Sequence, residues 1–336
     1  MALGCENDYA FSIFASGESG NLPITSPQER TFSPMPLNFD KSFEPHYGSA
    51  IEVAPGVRRI TANNPGPFTF YGTNTYIVGG TGALAIIDPG PEDETHLQAL
   101  LAATGRQRVS HILVTHTHRD HSPLARRLSE LTGAPVLAEG RHRPAKPLGT
   151  GEASHLDASG DTSFEPDIPL SDNTLVEGDG WVLRAIHTPG HAANHMAFAL
   201  ESTALTFSGD HVMAWSTTVV APPDGSMADY VASLDRLMER KDRLLLPGHG
   251  GPVRRPQIFL RGLKAHRRMR ERAIVERLAA GDRTISEIVA AIYRDTDPRL
   301  HGAAALSVLA HLEDLIARGR VKSEGLPSID AVYRPG

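Results

Sequence analysis

One short stretch of the sequence contains four side chains that could bind metal ions. Residues 111–121 read His-Ile-Leu-Val-Thr-His-Thr-His-Arg-Asp-His. The apolar run at their start predicts a buried strand, and Ser122-Pro123 after them predicts a helix with Ser122 as its N-cap. The four side chains are therefore expected on a loop between a strand and a helix. Together, imidazole and carboxylate ligands suit zinc and its first-row neighbours. The four candidates are His116, His118, Asp120 and His121.

Three further candidate ligands follow predicted strands later in the chain. His191, Asp210 and His249 each come just after an apolar run. Small residues lie beside them, which lets the backbone approach a shared point. Asp88 also ends an apolar run, where it could orient a metal-bound histidine or simply begin a turn.

If two sheets pack face to face with these loops along one edge, the ligands can form a dinuclear site. Three histidines would hold the first ion: His116, His118 and His191. The second ion would be held by Asp120, His121 and His249, with Asp210 bridging. Open positions would remain for water, as in catalytic sites. Two ions about 3.5–4 Å apart can share a hydroxide that acts as the nucleophile. We therefore expect a hydrolase with two zinc ions, with Asp120 and Asp88 as candidate catalytic carboxylates.

Length and composition limit the classes of protein to which the chain could belong. The 336 residues can form one large domain and a small one. We expect no membrane span, because no apolar run looks long enough. The single cysteine, Cys5, excludes an intramolecular disulfide and a cysteine-based zinc site. Neither a basic nor an apolar segment precedes Cys5, so no signal peptide is expected and a cytoplasmic location is the default.

Charge and composition predict three parts, with boundaries at 1–45, 46–260 and 261–336. The first is rich in Ser, Pro, Gly and Asn and predicts an arm that is partly disordered or draped over the main domain. From residue 254 onwards there are 16 Lys/Arg and 10 Asp/Glu, a balance of +6, whereas the remainder has 17 and 29, a balance of −12. This asymmetry indicates either two units with different partners or Arg-rich helices with solvated faces.

Periodicity predicts the main elements. Residues 140–173 read as a long surface loop near the site, a common place for substrate selection. Strands are predicted at 53–60, 73–78, 84–87, 136–138, 181–187, 196–200, 204–208 and 244–246. Helices are predicted at 92–104, 124–132, 228–240, 259–280, 284–293 and 301–318. A final hairpin, at 321–323 and 331–333, would complete the order of a winged helix.

The metal-ligand pattern resembles the metallo-β-lactamase superfamily. Its His-x-His-x-Asp-His motif is matched by residues 116–121, and its later ligands are matched by His191, Asp210 and His249. The resemblance implies a mixed α/β (α+β) fold, an αββα sandwich with a dinuclear zinc site. Residues 72–76, 188–197 and 247–250 further resemble the lactamase-beta-2-like branch, which carries a C-terminal winged-helix-like domain. Within or beside these motifs, Asn74 and His195 are candidate substrate-binding residues, as is Trp215.

Three functions compete at this point. The branch includes single-strand-specific endoribonucleases, so RNA phosphodiesters are the first candidate substrate. A thioester or lactone hydrolase is the alternative, because glyoxalase II shares all seven ligands. A winged-helix regulator with a vestigial hydrolase domain is the third, disfavoured by the complete ligand set. β-Lactamases of the commonest class carry Cys where this chain has Asp210, so antibiotic hydrolysis is not expected as the main activity. A monomer or homodimer acting on a small ester or thioester, or on single-stranded RNA, is expected.

Overall fold

Two β-sheets pack face to face, and helices cover the outer side of each. The computed structural model describes residues 37–146, 159–201 and 203–336. Seven strands form the first sheet in chain order: β1 (Ile51–Ala54), β2 (Val57–Thr61), β3 (Asn74–Val78), β4 (Leu84–Ile87), β5 (Val109–Leu113), β6 (Val136–Ala138) and β7 (Ile168–Pro169). The second sheet has the strand order β12-β11-β10-β9-β8, formed by β8 (Leu175–Gly178), β9 (Trp181–His187), β10 (Met196–Leu200), β11 (Leu205–Gly209) and β12 (Leu244–Pro247).

Buried residues on alternate sides of the strands create three stacked apolar layers. Ile87 and Phe207 belong to the layer between the two sheets. Ile86, one residue earlier in β4, points to the other side of its sheet, where it joins the layer that contacts two helices. Tyr230 lies in the corresponding layer outside the second sheet. The covering helices are α1 (Glu94–Thr104) and α2 (Leu124–Thr132) on the first sheet, and α3 (Met227–Glu239) and α4 (Pro256–Ala280) on the second. The αββα order expected from the resemblance is therefore confirmed.

Strand direction gathers the functional loops along one edge. β4 and β5 are parallel to each other, and so are β11 and β12. β9 and β11 both pair antiparallel with β10, so they also run in the same direction. Backbone hydrogen bonds join the two sheets at this edge, from Asn74 to Gly248 at 2.7 Å and from Met196 to Thr115 at 2.7 Å. The loops after β4, β5, β9, β11 and β12 consequently meet at one place.

The C-terminal part consists of helices followed by a hairpin. After α4 come α5 (Ile285–Ile292), a short 3-10 helix (Pro298–Leu300), α6 (His301–Ala317), β13 (Val321–Ser323) and β14 (Tyr333–Pro335). Ile288, Leu312 and Tyr333 share an apolar core there. The boundary predicted after residue 260 falls inside α4, which runs unbroken from Pro256 to Ala280. This helix contacts both α3 and α5, so it links the sandwich to the C-terminal helices.

By length and composition alone, one described helical segment is long and apolar enough to cross a membrane. The segment is Pro298–Ala317, with a mean hydropathy of 1.2. Val308, Leu312 and Leu315 within it are fully buried against the other C-terminal elements. Packing in a protein core therefore accounts for the apolar composition of this helix.

Two predictions about the bounds and caps of individual elements were wrong. Residues 53–60 form a hairpin rather than one strand, because Gly56 turns the chain with a φ of +70° between β1 and β2. Ser122 does not cap α2. Pro123 occupies the N-cap position, and the Ser122 hydroxyl instead donates to the Asp161 carboxylate at 2.8 Å.

The predicted arm and surface loop are described only in part. Residues 1–36 of the arm and 147–158 of the loop lie outside the described residues. Residues 37–45 lie along the main domain: the Phe39 ring contacts that of Phe259 in α4, and the Asp40 N–H donates to the Ala214 carbonyl at 2.9 Å. Strand β7, which was not predicted, adds Ile168–Pro169 to the edge of the first sheet.

The predicted capping box of α5 is confirmed and supports a stability prediction. The Thr284 hydroxyl accepts from the Glu287 N–H, and the Glu287 carboxylate accepts from the Thr284 N–H at 2.9 Å. Replacing Thr284→Ala leaves a helix N–H without its partner and should lower the free energy of unfolding by about 1 kcal/mol. Urea unfolding measures this loss, and Thr284→Ser, which keeps the hydroxyl, should retain most of the stability. Equal stability of both variants would contradict the prediction.

Candidate metal centre

The loop after β5 brings four candidate ligands together because its start and its end are both tied down. Asp88 accepts hydrogen bonds from the Thr115 N–H and the Thr115 hydroxyl, both at 2.7 Å. The His118 carbonyl then accepts from the His121 N–H at 2.9 Å, which closes a tight turn. The side chains of residues 116–121 are thereby compressed into a small volume at the edge of the first sheet.

The second sheet supplies the remaining ligands at close range. His191 follows β9, Asp210 follows β11, and His249 follows β12. Gly248 allows this approach, since a Cβ there would lie 2.4 Å from Oδ1 of Asp210 and 2.6 Å from Cε1 of His121. Any other residue at position 248 would push the two sheets' ligands apart.

The seven predicted ligands form two adjacent groups. Within each group the candidate ligand atoms all lie within 4.8 Å of one another. The first group, here called the histidine group, contains His116, His118 and His191; the second, here called the mixed group, contains Asp120, His121, Asp210 and His249. Asp210 also approaches the histidine group, with Oδ2 3.8 Å from Nε2 of His191. This places Asp210 between the two groups, the position predicted for a bridging ligand.

In the histidine group, each ring donates a hydrogen bond on its outer side. Nε2 of His118 donates to Asp224 at 2.7 Å, and Nδ1 of His191 donates to the Val219 carbonyl at 2.7 Å. The Thr115 hydroxyl gives its only hydrogen to Asp88, so at 3.0 Å it accepts from Nδ1 of His116. The inner nitrogens of His116 and His191 are thereby left as acceptors, and both face Nδ1 of His118.

The mixed group follows the same rule. Nδ1 of His121 donates to Asp88 at 2.9 Å, and Nδ1 of His249 donates to the Gly72 carbonyl at 3.1 Å. Their Nε2 atoms face each other at 3.4 Å. Both rings thus turn their free nitrogens towards the Asp120 and Asp210 carboxylates.

This donor set fits bound metal ions. In the histidine group, Nδ1 of His118 lies 3.0 Å from Nε2 of both His116 and His191, so three inward nitrogens converge on one point. Buried lone pairs at such distances need a proton or a cation between them. In the mixed group, Oδ1 of Asp210 is buried without a hydrogen-bond partner among the described residues and lies 3.5 Å from Nε2 of His121. Imidazole and carboxylate ligands of this kind suit zinc and neighbouring divalent ions.

The two groups differ in their preferred protonation. Burial lowers the pKa of His116 well below its usual value and that of His191 to about 4, and neighbouring imidazoles add to the effect. Burial also opposes charge on His249, but the Asp210 and Asp120 carboxylates outweigh it and raise the pKa of His249 to about 10. The same carboxylates hold the pKa of His121 well above its usual range despite burial. The mixed group thus holds two protons against two carboxylates, and one divalent ion could replace them at equal net charge.

Comparison with known protein families agrees with this geometry. Residues 68–249 match the Metallo-beta-lactamase superfamily, a match that spans more than half of the chain. The chain belongs to the metallo-beta-lactamase superfamily. Residues 284–328 match the Beta-lactamase associated winged helix domain, which confirms the winged-helix prediction for the C-terminal part. The protein is accordingly a metal-dependent hydrolase by family.

Individual relatives cover most of the chain. A Beta-lactamase-like protein 2 homolog of Drosophila melanogaster is 30% identical over 304 residues, covering 85% of this chain and 99% of the relative. An Atrochrysone carboxyl ACP thioesterase of Cryptosporiopsis sp. is 29% identical over 261 residues, covering 73% of this chain and 74% of the relative. The crystal structure of a metallo-beta-lactamase family protein from Thermus thermophilus is similar, with a TM-score of 0.68 and 27% identity, covering 85% of this chain and 100% of that chain.

Within this superfamily fold, two of the three predicted substrate residues are buried away from any open surface. Asn74 is fully buried, and its amide donates to the carbonyls of Pro247 and Gly250 at 3.1 and 2.9 Å, so it holds the His249 loop in place. His195 is also fully buried, with Nδ1 2.8 Å from the Thr188 hydroxyl. Substrate contact by Asn74 and His195 therefore stays a prediction. Trp215 differs, since it is only partly buried.

Asp88 and Arg119 both support the ligand loop. Asp88 is buried behind His121 and orients its ring, so its direct catalytic role stays a prediction. Arg119 donates through its backbone N–H to the Ser159 carbonyl at 2.8 Å and through Nε to the Gly160 carbonyl at 3.1 Å. Its side chain thus anchors the loop to the start of the described segment after residue 158.

Asp224 orients His118 but is not among the residues predicted from the sequence. Asp224 is buried and lies 106 positions after its partner. It stands in a Pro-Pro-Asp-Gly segment that reads as an ordinary turn. Burial would raise the pKa of this carboxyl, but the hydrogen bond from His118 outweighs burial and lowers it. No local signal distinguished Asp224 from a turn residue, because its role depends on the packing of the second sheet.

Metal binding should release protons, because His121 and His249 must lose them to become ligands. Their raised pKa values mean that both are protonated at pH 7 in the metal-free protein. We expect about two protons to be released at the mixed group, so that the apparent metal affinity rises with pH across the neutral range. Titration calorimetry in buffers of different ionisation enthalpy counts these protons. Binding heats that do not depend on the buffer would contradict this prediction.

Removing the Asp224 carboxylate should weaken metal binding by the histidine group. Asp224→Ala leaves His118 free to change tautomer and should weaken affinity roughly 10–100-fold. Asp224→Asn keeps a hydrogen-bond acceptor without the charge and should lose less metal affinity than Asp224→Ala. Chelator competition measures the affinity, with Asp229→Asn, an exposed acid on α3, as the matched control. Wild-type affinity in Asp224→Ala would rule out the orienting role.

Proposed function

We propose that this protein is a dinuclear zinc hydrolase that cleaves acyl thioesters. The histidine group would hold one ion and the mixed group the second, with Asp210 shared between them. The observation that carries the choice of substrate is an aromatic surface beside the mixed group. We define this aromatic surface as Phe43, Phe70, Tyr71 and Trp215.

The aromatic surface is a stacked arrangement that remains open to solvent. The rings of Phe70 and Trp215 are parallel within 8°, with centroids 4.7 Å apart. Tyr71 packs edge-on against Phe70 at 4.4 Å, and Phe43 lies 6.1 Å from Tyr71. Tyr71 is 42% exposed. Solvent-exposed rings in such a cluster are typical of a surface that binds an apolar partner or ligand.

Backbone contacts place this surface directly beside the mixed group. Tyr71 precedes Gly72, whose carbonyl holds the His249 ring. On the other side, a Cβ at Gly250 would lie 2.8 Å from Cδ1 of Trp215, so the indole contacts the residue after His249. An acyl group stacked on these rings would bring its carbonyl towards the mixed group.

The chemistry of a thioester suits this arrangement. When bound, divalent ions lower the pKa of water and polarise a carbonyl oxygen. Asp120 is the most open of the seven residues, with 25% of its side chain exposed, and its Oδ2 lies 3.1 Å from Nε2 of His249. It is therefore our candidate among the seven for contact with the incoming water and substrate. A departing thiol has a pKa of about 8.5, so it leaves without the proton donor that an alkoxide needs.

The names of several relatives support the same substrate class. Four of the similar proteins are Atrochrysone carboxyl ACP thioesterases, 28–31% identical to this chain over 205–262 residues. An acyl group on a carrier protein is a thioester with a large apolar part. A partly exposed aromatic surface next to the ligands would accommodate such a group better than a small enclosed pocket would.

Single-stranded RNA is the second candidate substrate. Exposed aromatic rings also stack on bases, and the C-terminal part carries the basic excess of +6. This candidate requires the strand to reach from the aromatic surface to basic side chains, with binding that weakens as salt rises.

A substrate panel with matched variants tests the proposal. We expect the zinc-loaded protein to hydrolyse aromatic and long-chain acyl thioesters, and His118→Ala to lose nearly all activity. Tyr71→Ala removes one exposed ring and should raise KM for these substrates up to about tenfold with little change in kcat, because ring stacking contributes about 0.5–1.5 kcal/mol. Leu326→Ala, which shortens a 63% exposed residue in the C-terminal part, is the control. Cleavage of labelled single-stranded RNA without thioester turnover would favour the second candidate, and no turnover of either would refute both.

A further inference from the structure

A two-residue segment, Thr218–Val219, contacts ligands of both groups. The Val219 carbonyl accepts the outer hydrogen of His191 at 2.7 Å. The Thr218 hydroxyl lies 2.7 Å from the Asp210 carbonyl and 3.0 Å from the His211 carbonyl, so it can donate to either. The segment thus orients one ring of the histidine group and fixes the backbone of Asp210, the residue between the groups.

A side chain from α4 holds this segment in place. Nη2 of Arg267, on α4, donates a hydrogen bond to the Thr218 carbonyl. Arg267 is only 4% exposed, and its guanidinium lies 4.9 Å from the centre of the Tyr230 ring. Arg267 therefore reaches from α4, through the layer covering the second sheet, to the backbone behind the metal centre.

The chemistry of Arg267 points to a specific task rather than to packing. Burying a guanidinium is costly unless it is well paired, and an apolar residue of similar volume would usually serve packing as well. The Nε atom of Arg267 has no hydrogen-bond partner among the described residues, so the buried charge is only partly compensated. A charged donor makes a stronger hydrogen bond to a buried carbonyl than a neutral donor does. Here the buried carbonyl is that of Thr218.

We propose that Arg267 is a positioning residue for the metal centre. Its guanidinium fixes the Thr218 carbonyl, and the fixed segment then sets the tautomer of His191 and the position of Asp210. By this route α4, the helix that covers the second sheet and continues into the C-terminal helices, helps to set the metal-binding geometry. The inference rests on the metal centre of the proposed function, but it does not depend on which substrate is cleaved.

Metal affinity and ligand geometry test this link independently of activity. Arg267→Met keeps the aliphatic stem and removes the donor, whereas Arg267→Lys keeps a cationic donor. Arg268→Met, at an exposed position on the same helix, is the matched control. In the full-length protein we expect Arg267→Met to bind zinc about tenfold more weakly in chelator competition and to change the visible absorption spectrum of the cobalt-substituted centre. Arg267→Lys should recover part of the affinity, and Arg268→Met should match the wild type.

A second variant covers the case in which Arg267→Met does not fold, as judged by circular dichroism and thermal unfolding. Thr218→Val then tests the proposal, because it removes only the hydroxyl that donates to the Asp210 carbonyl. This variant should also bind zinc more weakly than the wild type. The positioning role of Arg267 would be overturned if folded Arg267→Met kept wild-type zinc affinity and an unchanged cobalt spectrum. If Arg267→Met is unfolded, the same two results in Thr218→Val would overturn it. A wild-type protein that binds no zinc or cobalt would instead refute the metal centre on which the link depends.

Discussion

Each histidine of this centre depends on a hydrogen bond made on the side facing away from the metal position. A buried imidazole has two nitrogens, and only a fixed acceptor on the outer one leaves the inner one free to bind a cation. Backbone carbonyls of Gly72 and Val219 do this for His249 and His191. Side-chain oxygens do it for the other three rings. The residues behind the ligands therefore set the orientation of the ligands themselves.

The two groups meet the cost of burial in different ways. In the histidine group, burial and crowding of imidazoles disfavour protons on His116 and His191, whereas the Asp224 carboxylate outweighs burial and raises the pKa of His118. The mixed group instead balances two protonated rings against the carboxylates of Asp120 and Asp210. A cation entering the mixed group competes with two protons, whereas a cation entering the histidine group competes with the one proton that His118 favours. The two positions should therefore differ in how strongly pH controls their filling.

The ligands could be predicted from the sequence because their signal is local. Four of the seven lie within six residues, and the other three each follow an apolar strand whose direction carries it to the same edge. Among the supporting residues, Asp88 was predicted as one that could orient a metal-bound histidine, and it contacts His121. Asp224, Thr218 and Arg267 could not be predicted. Asp224 and Thr218 lie in irregular segments, and Arg267 is one of many arginines in α4, so only tertiary packing reveals their partners.

Substrate choice has a different origin from the ligand set. The seven ligands are shared by enzymes with different reactions, and nothing in their geometry selects an acyl group over a phosphodiester. The aromatic rings belong to none of the seven ligands and come from separate segments: Phe43 from the stretch before β1, Tyr71 from the turn before β3, and Trp215 from the loop after Asp210. Two glycines lie where the rings meet the ligand loops, since the Gly72 carbonyl accepts from His249 and the Trp215 indole packs against Gly250. A change of ring alters the surface that would meet the substrate without replacing a ligand, so the same hydrolytic centre can serve several substrate classes.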